Sequence, residues 1–85
     1  MYINQKQNKM KINLDLLTKL HYELNLENFY VANIRKWGVN LQGWYTPEME
    51  RLLFNKNYQV LWDEKLRNFQ YNDEELTIIL TYQEI

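Results

Sequence analysis

The sequence predicts one small α+β domain with the element order α-β-β-α-β-β-β. We expect a single antiparallel sheet that carries both helices on one face and leaves its other face open. Two segments repeat apolar residues at helical spacing, and five shorter segments alternate apolar with polar residues. The chain has 85 residues, which is too short for a second core. Each helix has a single apolar stripe, so each can cover only one surface.

A leucine stripe predicts the first helix. It begins near Asn13, a favourable N-cap residue, and ends near Asn25. The leucines that recur at helical spacing are Leu16, Leu17, Leu20 and Leu24. The preceding segment, residues 1–9, is polar and has no periodicity. We therefore expect a flexible N-terminal extension over 1–9 and the folded domain over 10–85.

A change to a period of two predicts a hairpin of strands 29–36 and 39–45. Pairing across a turn at Trp37-Gly38 aligns apolar, small and tyrosine side chains on the core face: Ile34 opposite Leu41, Ala32 opposite Gly43, and Tyr30 opposite Tyr45. The two small residues in this set would let a helix approach closely. Trp-Gly is a poor sequence for a tight turn, so a longer turn would shift this pairing.

The second face of the hairpin is predicted to be open. It carries Val31 beside Trp44, Asn33 beside Gln42, and Arg35 beside Asn40. Exposed aromatic side chains among Asn, Gln and Arg, with few Lys or Glu, resemble the composition of protein-binding hot spots. This face is therefore the candidate binding surface, and its candidate residues are Trp44, Val31, Arg35, Gln42 and Asn33.

The dipeptide Thr46-Pro47 predicts the start of the second helix, because threonine is an N-cap residue and proline fits the first helical turn. This helix ends near Asn55. A meander of three strands follows, over 58–62, 66–71 and 76–82. Alternation places one apolar set on the covered face of the sheet: Tyr58, Val60, Trp62, Phe69, Tyr71, Leu76, Ile78 and Leu80.

Composition restricts the chemistry and the partners. The chain contains no cysteine and no serine, which excludes disulfides, thiolate metal sites and the two commonest nucleophiles. The net charge is −1, with six bases and three acids in residues 1–44 (+3) and four bases and eight acids in 45–85 (−4). No apolar run approaches the roughly 20 residues of a membrane span. We expect a cytoplasmic protein that makes no membrane contact.

The remaining polar residues do not form a recognisable catalytic or metal-binding pattern. His21 is the only histidine, and Thr18, one helical turn earlier, is the only threonine near it in sequence. The acidic run 73–75 lacks the alternating oxygens and the glycine of a calcium loop. Two glycines in one hairpin cannot build a phosphate-binding loop. We therefore expect a protein that is not an enzyme and that uses neither a metal nor a cofactor.

The short length and the Asn-, Lys- and Ile-rich composition resemble those of accessory proteins encoded by phages and mobile elements of AT-rich bacteria. Some of those proteins inhibit host defence systems by occluding the surface of an enzyme. The resemblance is compositional and assigns no residue. It implies a protein partner in a bacterial host.

Three hypotheses of function follow. The first is a non-catalytic protein-binding module that acts through the open sheet face, with Trp44 as its central side chain. The second is a weak single-stranded nucleic-acid binder that uses Trp44, Arg35 and the lysines at 6, 9 and 11. The third is a structural protein whose open face closes a homodimer. Affinity that falls steeply with salt would favour the second hypothesis over the first.

Overall fold

Two helices and five strands follow one another in the predicted order. The computed structural model describes residues 2–36 and 38–83, and only the backbone of 2–10. The elements are α1 (Tyr2–Leu24), a short 3-10 helix (Leu26–Asn28), β1 (Val31–Arg35), β2 (Gly38–Trp44), α2 (Pro47–Asn55), β3 (Leu61–Asp63), β4 (Asn68–Asn72) and β5 (Leu76–Thr81). The α+β class and the order of elements are confirmed. Within the described residues, neither helix combines the length and the apolar character needed to cross a membrane.

The sheet is mixed rather than wholly antiparallel. Its strand order is β1-β2-β5-β4-β3, and β2 pairs with β5 in parallel while the other three pairs are antiparallel. The prediction of an antiparallel sheet was wrong at this one contact. β5 is the third of the five strands and so lies at the centre of the sheet. It buries every second side chain, at Leu76, Ile78 and Leu80. Its central position brings it beside β2.

One apolar core lies between the helices and one face of the sheet. Its buried members are Leu20 and Leu24 of α1, Met49 and Leu53 of α2, Val39 and Leu41 of β2, Leu76, Ile78 and Leu80 of β5, and Phe29 and Val60 in the connections. Leu41 pairs with Ile78 across β2 and β5, so these side chains share one face. Each buried side chain of this size stabilises the fold by about 1.5–3 kcal/mol. Both helices therefore cover the same face, as predicted.

Within β1 and β2 the side chains keep their predicted faces but not their predicted partners. Ile34 pairs with Val39 instead of Leu41, and Ala32 pairs with Leu41 instead of Gly43. Gly38, which we expected in the turn, is instead the first residue of β2 and pairs with Arg35. The register is therefore shifted by two residues from the predicted one. Trp37, which we expected in the turn, lies outside the described residues.

Gly38 explains where β2 begins. Its φ is 148°, a conformation that L side chains rarely adopt, and a Cβ at this position would collide with the carbonyl of Glu75. The next residue, Val39, donates its N–H to the same carbonyl at 2.8 Å. Only glycine allows the backbone of β2 to approach the start of β5 this closely.

The two small residues of the hairpin have different roles. Gly43 is buried, with the Phe29 ring and the Leu80 side chain close to the position that a Cβ would take. Ala32 was predicted to face a closely packed helix, and this was wrong: its side chain is exposed. Ala32 belongs to β1, which is an edge strand of the sheet.

The first helix is longer than predicted, because it begins at Tyr2 and not at Asn13. The segment 2–12 is rich in Gln, Lys and Met, which are good helix formers, and Asn13 lies buried inside the helix instead of capping it. The boundary that we placed between residues 9 and 10 stays a prediction.

Candidate binding surface

The open face consists of alternate residues from all five strands. The strand register aligns these residues into three rows that cross the sheet. The middle row alternates apolar and amide side chains: Val31, Gln42, Ile79, Gln70 and Leu61. One flanking row is uncharged and polar, with Asn33, Asn40, Thr77 and Asn72. The other flanking row holds Trp44, Thr81, Asn68 and Asp63.

Trp44 forms an aromatic pair on this face with Tyr30. Their ring centroids are 5.2 Å apart and the rings are tilted by 51°. The Tyr30 hydroxyl shares a 3.1 Å hydrogen bond with the Thr81 hydroxyl, which fixes the tyrosine beside the indole. Both rings are about half exposed, with Trp44 at 49%. The pair is therefore an accessible aromatic platform whose geometry is set before any partner binds.

Tyr30 was predicted on the core face, and this was wrong. Its N–H bonds to the carbonyl of Gln42 at 2.9 Å, although Gln42 already pairs with Val31. Two consecutive residues therefore lie opposite one residue of β2, as in a β-bulge. A bulge interrupts the alternation of side chains and so places Tyr30 on the same face as Val31.

A chain of hydrogen bonds orders the amides on the β4 side of the face. Gln70 donates to Asn68 at 2.8 Å, Asn72 donates to Gln70 at 3.1 Å, and the Thr77 hydroxyl donates to Asn72 at 3.0 Å. These bonds limit the rotation of side chains that would otherwise lose entropy on binding. An amide in such a chain still has further donors and acceptors for a partner.

The described part of the open face carries little charge. Arg35 lies on β1 and Asp63 on β3, at opposite edges of the sheet, and the aligned residues between them are uncharged. At the centre of the polar row, Asn40 is only 5% exposed, and its buried Nδ2 has no hydrogen-bond partner. The face therefore offers amide hydrogen bonds and apolar contacts instead of a charged groove.

The structure brings together some of the predicted site residues and separates others. Val31 and Gln42 are direct partners, and Trp44 lies on the same face two residues further along β2. Asn33 is exposed in the next row. Arg35 lies opposite Gly38, six residues of β2 away from Trp44, or about 20 Å at 3.3 Å per residue. Arg35 therefore does not join Trp44 within one molecule.

A second aromatic group, on the helix side of the sheet, was not predicted as a surface. Trp62, Phe69 and Tyr82 line an open groove of about 580 Å³ together with Arg67. Trp62 was expected in the core, but it is 43% exposed because it lies on the edge strand β3. The alternation of side chains predicted the face of Trp62 correctly. Its exposure depends on the strand order, for which the sequence carries no local signal.

The titratable groups with shifted pKa values lie outside the open face. Burial raises the pKa of Tyr58 to about 12, and the nearby Glu23 carboxylate adds to the shift. A hydrogen bond to Glu50 raises the pKa of Tyr45. In each case the protonated hydroxyl donates a hydrogen bond to a carboxylate, Tyr58 to Glu23 and Tyr45 to Glu50, which favours the neutral phenol. Among the residues that the structure describes, no three His, Asp or Glu side chains come together as metal ligands.

No protein-family model, curated protein or solved structure matches this chain.

Proposed function

We propose that this chain is a non-catalytic protein-binding module that acts through its open sheet face. The observation that carries the proposal is the exposed Trp44–Tyr30 pair, which is held by Thr81 and lies at the end of a mixed apolar and amide face. Tryptophan and tyrosine contribute a large contact area at low entropic cost, and they are enriched in protein-binding hot spots. In this proposal, Val31 and Gln42 extend the contact along β1 and β2, and Arg35 and Asn33 lie at its margin.

The charge of the face favours a protein partner over single-stranded nucleic acid. A nucleic-acid groove follows the phosphate backbone with several Lys or Arg side chains. The aligned residues of this face include one base, Arg35, and it lies about 20 Å from the aromatic pair. An uncharged amide face is better suited to the backbone and side-chain groups of a protein. We propose the cytoplasm as the compartment and a bacterial host protein as the partner.

The test is an affinity capture from the lysate of an AT-rich bacterial host, with the wild-type protein and two tryptophan variants. Trp44→Ala removes the aromatic platform of the open face. Trp62→Ala is the matched control, because Trp62 is exposed to a similar extent but lies on the helix side. The eluates are analysed for protein and for nucleic acid at low and at high salt.

We expect a discrete protein that is retained by the wild type and by Trp62→Ala, is lost with Trp44→Ala, and resists the salt wash. The expected loss of affinity is at least tenfold, since truncating a hot-spot tryptophan costs about 2 kcal/mol or more. Nucleic acid that washes off with salt would contradict the proposal and support the alternative hypothesis. Equal capture by wild type and Trp44→Ala would also contradict it.

A further inference from the structure

Among the described residues, β1 is an edge strand of the sheet, and the direction of its backbone groups follows from the pairing of β2. The N–H groups of Val39 and Tyr45 bond to carbonyls of the β5 side, at 2.8 Å each. Odd-numbered residues of β2 therefore direct their backbone groups towards β5, and even-numbered residues direct theirs towards β1. The even residue Gln42, whose carbonyl accepts from Tyr30 N–H, fits this assignment.

The same alternation fixes the direction of the backbone groups in β1. Its residues 31, 33 and 35 pair with the even residues 42, 40 and 38 of β2, so these three are the ones that bond inwards. Ala32 and Ile34 consequently direct their N–H and C=O groups away from the sheet. β1 is the terminal strand, so within the part of the chain that the structure describes these groups have no strand partner.

The side chains around this edge do little to prevent pairing. β1 contains no proline and one charged residue, Arg35, and the side chain of Ala32 is small and exposed. Proteins commonly protect an edge strand with several charges, proline or a covering element.

We propose that two copies of this chain pair through their β1 edges, antiparallel and centred on Asn33. In this register, Ala32 of each copy lies opposite Ile34 of the other. The two residues whose backbone groups point outwards therefore face each other. Four backbone hydrogen bonds form, two at each such pair. Arg35 lies opposite Val31 of the other copy, so no like charges face each other. This inference is independent of the proposed function, because it rests on the edge and not on the open face.

The pairing would also complete the candidate binding surface. A two-fold axis perpendicular to the sheet places both open faces on the same side of one continuous ten-stranded sheet. Arg35 of the second copy then extends the row of Val31 and Gln42, one strand spacing of about 4.8 Å beyond Val31. The second copy therefore supplies the arginine that a single molecule holds far from its own Trp44.

The test is the mass of the protein in solution, by sedimentation velocity over a range of concentrations. We expect the wild type to reach twice the chain mass of 10.6 kDa. Ala32→Pro removes an outward N–H and leaves the β1–β2 hydrogen bonds in place, so it should give a folded monomer. Ala32→Val is the control and should remain a dimer, because it keeps the N–H.

Three results would overturn the proposal: a wild type that stays monomeric up to millimolar concentration, an Ala32→Pro protein that folds and still dimerises, or a dimer that Trp44→Ala dissociates. The last would place the interface on the open face. If Ala32→Pro does not fold, hydrogen exchange of the wild type replaces it. We then expect exchange at the Ala32 and Ile34 amides to slow as the protein concentration rises; concentration-independent exchange at both would refute the pairing.

Discussion

The two edges of the sheet differ in what they offer to a partner. β1 has five residues, with a small exposed side chain at Ala32 and with the backbone groups of Ala32 and Ile34 directed away from the sheet. β3 has only three residues, and two of them, Leu61 and Trp62, expose large apolar side chains. A five-residue edge offers another strand a longer run of outward backbone groups than a three-residue edge does. The β1 edge is therefore suited to backbone pairing, and the β3 edge to side-chain contacts.

The largest expected loss of stability comes from a substitution at Gly38, on the β1 side of the sheet. Gly38→Ala places a Cβ against the Glu75 carbonyl at a φ of 148°, and a backbone atom cannot move aside cheaply. We expect a loss of unfolding free energy on the order of 3 kcal/mol, measured by urea denaturation. Gly43→Ala is the control: its closest contact would be the Phe29 ring at 3.2 Å, a side chain that can adjust, so the loss should be about 1 kcal/mol. Equal losses would show that the close approach at Gly38 is not what holds β2 in place.

A smaller effect, of opposite sign, is expected on the β3 side at Arg67. This residue has a φ of 55° in the turn between β3 and β4, where its N–H bonds to the Asp63 carbonyl at 2.7 Å. A non-glycine residue in this region costs about 1 kcal/mol. Arg67→Gly should therefore raise the unfolding free energy by about 0.5–1 kcal/mol, whereas Arg67→Lys should leave it unchanged. A stabilisation by both variants would point to charge, not to backbone strain.

An effect that appears only at high pH concerns Tyr58, which links the β4 side of the domain to α1 through a 3.2 Å hydrogen bond to Glu23. Its pKa is raised from 10.0 to about 12, so the folded state keeps its proton at a pH where the unfolded state loses it. This contribution to stability is complete below pH 10 and is lost as the pH rises through 12. In thermal denaturation between pH 10 and 12, Tyr58→Phe should lose stability less steeply than the wild type. An identical pH dependence would contradict the shift.

Local signals in the sequence predicted those parts of the fold that depend on neighbouring residues. Thr46-Pro47 predicted the start of α2, and the Thr46 hydroxyl does cap it by accepting from the Met49 N–H at 3.0 Å. The parallel contact between β2 and β5 joins distant parts of the chain, and no local pattern encodes which strands become neighbours. Long connections of this kind are the least predictable feature of a small α+β fold.

The candidate site was predictable to a similar degree. Alternation placed Trp44, Val31 and Gln42 on one face, and the structure agrees. The separation of Arg35 from Trp44 depends on the hairpin register, and the sequence around Trp37 carries no tight-turn signature that would predict it. Tyr30 was missed because a bulge, which carries no clear sequence signal, moved it to the other face.

The most direct test of the open face is an NMR titration of the ¹⁵N-labelled protein with the partner that the capture experiment identifies. We expect the largest shift changes at the Trp44 indole N–H and at the amides of Val31, Gln42 and Ile79, which lie on the open face. The Trp62 indole N–H, which donates to Glu64 at 2.7 Å, should change little. Changes that centre on Trp62 and leave the Trp44 indole unaffected would place binding at the groove lined by Trp62, Phe69 and Tyr82. That result would contradict binding through the open face.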